Sequence, residues 1–154
     1  MLDFIIDLFN KEKSETTERT TDKNRAIQIA ACALFIEIGN IDDEFSIEEK
    51  EKVISIMKNK FSLTDSEISK LISVSKKEIE QSVSVYEFTE IVNQNFNNDE
   101  KFNLIKNLWQ IAYTDGNIDK YEDHYIKRIC NNLHLTHKDR IAAKLQVKEE
   151  MGIE

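Results

Sequence analysis

The sequence predicts an all-α, single domain of about seven helices, read as two pseudo-symmetric three-helix repeats joined by a linker helix. A short amphipathic segment precedes it. Three observations carry this reading. The 154 residues contain no proline and three glycines, whereas strand-rich domains draw on both for their frequent turns. Apolar residues recur at helical spacing along most of the chain. A shift of 73 residues brings two long segments into register, the signature of an internal repeat.

The first apolar stripe is Leu2, Ile5, Ile6 and Phe9, with Asp3 and Asp7 on another face. Residues 11–22, KEKSETTERTTD, are polar throughout and read as a flexible tether. Residues 1–21 thus form a leader to a domain over 22–150. A helix follows at about 22–38 on Ala26, Ala30, Ala31, Leu34 and Ile38, closed by Gly39. Ser46-Ile47-Glu48-Glu49 opens a second, to about Lys60, and Thr64-Asp65-Ser66-Glu67 a third. Each start pairs a hydroxyl with a carboxylate three residues on, which together satisfy two orphan amides. The linker helix spans 83–95 and carries Val85, Phe88 and Val92.

Asn98 is expected to cap the next helix, to about Tyr113. Its apolar arc takes in Phe102, Leu104, Ile105, Leu108, Trp109, Ile111 and Ala112, and so wide an arc predicts the most buried helix of the domain. Asp119 and Thr136 open the last two helices. The repeat pairs about 29–68 with 102–140. Phe35 falls on Leu108, Asp42 on Asp115, Ser46 on Asp119 and Glu49 on Glu122. Matched caps and loops are what two merely amphipathic helices would not share.

Acidic residues outnumber basic ones by eight, and no Lys/Arg cluster suits a nucleic-acid backbone, so no nucleic-acid partner is expected. No run reaches the roughly 20 apolar residues of a membrane span. Residues 1–10 lack the cationic start of a secretory signal, which points to the cytoplasm. Cys32 and Cys130 lie in apolar helical patterns and read as buried thiols. His124, His134 and His137 lack a zinc spacing and read as surface or cap residues. No GxSxG or phosphate-binding glycine loop is present, and no catalytic constellation emerges.

The pattern Asp-x-x-φ-[Ser/Asp]-x-x-Glu occurs as Asp42…Phe45-Ser46…Glu49 and as Asp115…Ile118-Asp119…Glu122. The second copy, DGNIDKYE, is similar to part of a calcium-binding EF-hand loop. The first and third ligand positions would then be Ile111 and Tyr113, which supply no carboxylate, so an EF-hand is rejected. Capping accounts for Ser46, Glu49, Asp119 and Glu122, and Gly116 supplies a left-handed turn. Asp42 and Asp115 are surplus to it.

Residues IDDEFSIEEKEKV at 41–53, FSLTDSEI at 61–68, VYEFTEIVNQNF at 85–96 and LWQIAYTDGNIDKYEDHYIKRI at 108–129 together resemble the TerB-like family, named for tellurite resistance. The resemblance covers about 24–147. It implies an all-α fold of about seven helices, no established catalytic activity, and roles as stress-response interaction platforms. Related domains precede a J-domain, whose His-Pro-Asp motif this chain lacks. The resemblance also places a metal site on Asp42, Glu49, Asp115 and Glu122, with Asp43 where the first loop usually has glycine. Two functions are therefore expected: a non-enzymatic interaction or scaffold module, working through protein partners or self-association by residues 2–10, or a sensor of a divalent cation such as calcium or magnesium.

Overall fold

The computed structural model describes residues 19–39, 46–81 and 85–153, without the side chains of 19–23 and 115. Seven α-helices follow in order: α1 (Arg19–Gly39), α2 (Ile47–Phe61), α3 (Asp65–Gln81), α4 (Tyr86–Asn95), α5 (Asn98–Ala112), α6 (Lys120–Asn132) and α7 (His137–Glu150). A short 3-10 turn, Tyr113–Asp115, follows α5. There is no strand among the described residues, as the lack of proline and the helical spacing predict.

Helix starts follow the expected chemistry. Ser46, Asn97, Asp119 and Thr136 each accept from the amide three residues on, while Glu49, Glu100, Glu122 and Asp139 accept from the capping residue's own amide. Thr64 and Glu67 make the same exchange ahead of α3, at 3.2 and 3.0 Å. The cap of α5 is Asn97 instead of the expected Asn98, because only Asn97 stands three residues before Glu100. Ser46→Ala and Asp119→Ala are each expected to cost about 0.5–2 kcal/mol in urea unfolding. Variants as stable as the parent would remove the caps from the account.

Helix ends are equally local. Leu135 N–H donates to Cys130 O and His134 N–H to Asn131 O, with His134 left-handed at φ 61°. That is the closure of α6 by a reversed turn, and it gives His134 a structural role. Helix α1 begins at Arg19, so the last residues of the expected tether are helical. A polar first turn has no apolar stripe, which is why periodicity misses it. Residues 1–18 lie outside the described residues, and so does the 2–10 stripe.

The core differs from expectation in its centre. Helix α1, not α5, is the most buried: every residue from Ile29 to Ile36 is buried. It packs against α2, α3, α4, α5 and α6, while α5 packs on α1, α2, α6 and α7. Ala30, Ala31, Cys32 and Ala33 explain the difference. Small side chains let neighbours approach on all sides of α1, so even weakly apolar positions become inaccessible. Burial holds both thiols protonated, pushing Cys32 and Cys130 up to about 12.

Candidate functional site

Two of the predicted loop residues meet. The start of α2 and the start of α6 face one cleft of about 480 Å³, closed on its inner side by the end of α5. Ser46, Glu48 and Glu49 enter from α2, and Asp119 and Glu122 from α6. Ile111, Ala112 and Ile118 supply apolar surface. Ile111 and Ala112 are core residues, and Ile118 packs against the core from its edge. The cleft is therefore held by helices that cannot shift without disturbing the interior.

Local chemistry positions the carboxylates of Glu49, Asp119 and Glu122. Glu49 Oε1 accepts from Ser46 N–H at 3.3 Å, and Ser46 Oγ accepts from Glu49 N–H at 3.1 Å. Glu122 Oε1 accepts from Asp119 N–H at 3.3 Å. Asp119 Oδ1 accepts from the Tyr121 and Glu122 amides at 2.9 and 2.8 Å. Gly116 takes φ 87°, the left-handed turn expected of it, and turns the chain from the 3-10 segment toward Asp119. The carboxylates thus sit where helix dipoles favour negative charge.

Asp42 lies outside the described residues, as do Asp43 and Phe45, and the side chain of Asp115 is not described. Among the described residues no group of three or more His, Cys, Asp or Glu side chains is arranged to hold a metal ion. Glu49 and Glu122 each give one oxygen to a cap. Calcium takes six to eight oxygens and magnesium six. The described donors alone do not complete a hard-cation shell. His137 Nδ1 stands 2.7 Å from Arg140 Nη2, a contact within the first turn of α7, and the histidines form no shared site.

The family model described as tellurite resistance protein TerB matches residues 28–145. The chain belongs to the TerB family. The match begins inside α1 and ends inside α7, so the TerB domain takes in the cleft and every helix that frames it. No curated protein and no solved structure gives a significant match to the chain. Among the described residues no helix of this TerB domain is long and apolar enough to cross a membrane. Sequence reasoning found the caps and the acidic residues. It missed that Ile111, Ala112 and Ile118 would give them an apolar floor.

Proposed function

We propose that this TerB domain is a non-enzymatic interaction module, with the cleft between the starts of α2 and α6 as its binding face. The observation that carries this reading is the cleft's composition. Carboxylates from two helix starts surround a rigid apolar floor. An apolar floor with a charged rim is the make-up of a protein-recognition surface. Charge selects the occupant: a partner segment with Lys or Arg flanking one apolar side chain. Residues 2–10 are the wrong occupant, since Asp3 and Asp7 would meet the same sign of charge. That segment's apolar stripe would serve a separate contact, with a partner or a second copy.

The test uses the full chain, labelled for amide NMR, and two short synthetic peptides, one basic and amphipathic, one its acidic counterpart. Saturable shifts from the basic peptide alone, centred on 46–49 and 111–122, are expected. Glu48→Lys, at an exposed position outside the caps, should weaken binding about tenfold, the order set by reversing one rim charge near an apolar anchor. Shifts centred elsewhere, or equal binding of both peptides, would move the interaction away from this cleft.

The second reading is a divalent cation held by Asp42, Glu49, Asp115 and Glu122. The convergence of Glu49 and Glu122 on one cleft supports it, and their commitment to caps weakens it. A ligand that binds only the folded state at a hundred times its Kd raises stability by about 2.7 kcal/mol. Under the interaction reading, calcium, magnesium and manganese each leave the melting temperature unchanged and titrate without heat. A saturable heat that disappears in Asp42→Asn with Asp115→Asn would establish the sensor instead.

A further inference from the structure

A second hollow, of about 390 Å³, opens between α2 and α5. Its lining inverts the character of the molecule. The chain carries a net charge of −8, yet Lys52, Lys60 and Lys106 line this hollow and no carboxylate does. Lys106 is already paired, its Nζ 2.7 Å from Glu150 Oε1. Lys52 and Lys60 make no ion pair among the described residues.

The hydrogen bonds have a direction. Lys60 Nζ donates to Asn107 Oδ1 at 3.2 Å, and Asn107 Nδ2 donates to Gln110 Oε1 at 3.1 Å. Each side-chain amide oxygen in this relay is therefore occupied by a donor within the relay. Surplus donors remain at both ends: the other hydrogens of the Lys60 ammonium, and the Gln110 amide hydrogens, which make no hydrogen bond among the described residues. A relay that uses its own amide oxygens and leaves donors over, set among three lysines with no carboxylate in the lining, is complementary to an acceptor-rich, negative ligand.

Lys60 adds a second argument. Its ammonium lies 5.9 Å from the centre of the Phe96 ring and is half-buried. Burial holds its pKa below the ordinary lysine value, and the nearby charge of Glu100 offsets only part of this. Glu100 itself accepts from Asn97 N–H in the cap of α5. A partly desolvated cation that makes no ion pair among the described residues, with Glu100 offsetting only part of its burial, gains from an anion that enters beside it.

We infer that the hollow between α2 and α5 is an anion site for a phosphate-bearing ligand, held by Lys52, Lys60 and the Gln110 amide. Ile56 is the one apolar side chain in the lining, so the remainder of the ligand is polar. Inorganic phosphate or a phosphorylated polyol fits; a nucleotide, whose base needs an aromatic or apolar platform, does not. The site stands on different helix surfaces from the acidic cleft and does not depend on the interaction reading.

The probe is inorganic phosphate, titrated into the full chain and followed by amide NMR, with sodium chloride at matched ionic strength as control. Glycerol 3-phosphate and vesicles containing phosphatidate form two further arms. Expected are saturable shifts confined to residues 52–60 and 103–110. Gln110→Glu keeps the acceptor for Asn107 but replaces the donating end by negative charge. It should weaken phosphate binding about tenfold or more at an unchanged melting temperature. Lys60→Met gives the same reading should Gln110→Glu fail to fold, and Lys127→Met, on exposed α6 surface, should bind as the parent does. Binding of the soluble probes alone assigns a free metabolite, and vesicle co-sedimentation lost in Gln110→Glu assigns a lipid headgroup. Shifts spread over lysines throughout the chain, shifts reproduced by chloride, or phosphate binding indifferent to both variants would overturn the site.

Discussion

Trp109→Ala is expected to destabilise the domain by about 3–5 kcal/mol, the cost of truncating a large buried aromatic side chain. Trp109 is fully buried on α5, the helix that joins α1 and α2 on one side to α6 and α7 on the other. Its ring sits 6.1 Å from that of Tyr113, tilted by 31°, and the Lys144 ammonium of α7 lies 5.1 Å from its centre. Truncation would remove the floor beneath α7 as well as the indole's own buried area. Urea unfolding measures the loss, and the parent's fluorescence measures the burial.

Trp109→Phe separates packing from polarity at the same position. The indole Nε1 is buried and has no hydrogen-bond partner among the described residues, a condition that costs about 1–3 kcal/mol for a polar group removed from water. Phenylalanine keeps an aromatic ring under α7 and removes that orphan donor. It should therefore retain most of the stability that alanine loses. An alanine variant within about 1 kcal/mol of the parent would contradict any core truncation of this size. So would indole emission characteristic of water, since it would place Trp109 outside the core.

Most of the fold is legible in the sequence, since its signals are local. Ser46 with Glu49, Thr64 with Glu67, Asp119 with Glu122 and Thr136 with Asp139 are pairs three residues apart, and all four make the reciprocal exchange. What local reading ranks wrongly is depth. Helix α5 carries the tryptophan and the widest apolar arc, yet α1, with a run of small residues, lies deeper. Depth depends on how closely neighbours approach, and Ala30, Ala31 and Ala33 permit an approach that no count of large apolar residues reveals.

The candidate sites divide along the same line. Glu49 and Glu122 are readable as cap partners, but nothing local says that helix starts so far apart in sequence share one cleft. The donor relay is harder still. Lys60, Asn107 and Gln110 each look like ordinary residues of a solvated helix face. Asn103, Asn107 and Gln110 do form an amide stripe at spacings of four and three, which is a usable signal. Their relation to Lys60 depends on the crossing of α2 and α5. Asp42 gives the opposite case: conspicuous in the sequence, it lies outside the described residues, and its proposed ligand role rests on the motif alone.

Tyr125→Phe is expected to cost about 1.5–3 kcal/mol at neutral pH, the range for a buried hydrogen bond with a charged partner, and less in acid. The Tyr125 hydroxyl on α6 donates to Leu34 O of α1 at 3.0 Å and lies 3.5 Å from Glu37 Oε2. It is a polar tie between these two helices, set among buried apolar side chains. Burial raises the Glu37 carboxyl above its ordinary value near 4.5, while the Tyr125 hydroxyl and the Arg128 charge pull it back down. A carboxyl raised by folding contributes stability that is complete below about 4.5 and is lost as pH climbs through the folded-state value. Removing the hydroxyl takes away one of the two restraining influences, so the folded-state value rises further and the loss on ionisation grows. The gap between parent and variant should therefore widen from pH 4 toward pH 8, leaving at acid pH only the share owed to the Leu34 carbonyl. Urea unfolding at several pH values gives both quantities. A gap that is constant with pH would show that the hydroxyl does not feel the Glu37 charge, and a variant as stable as the parent would remove the tie altogether.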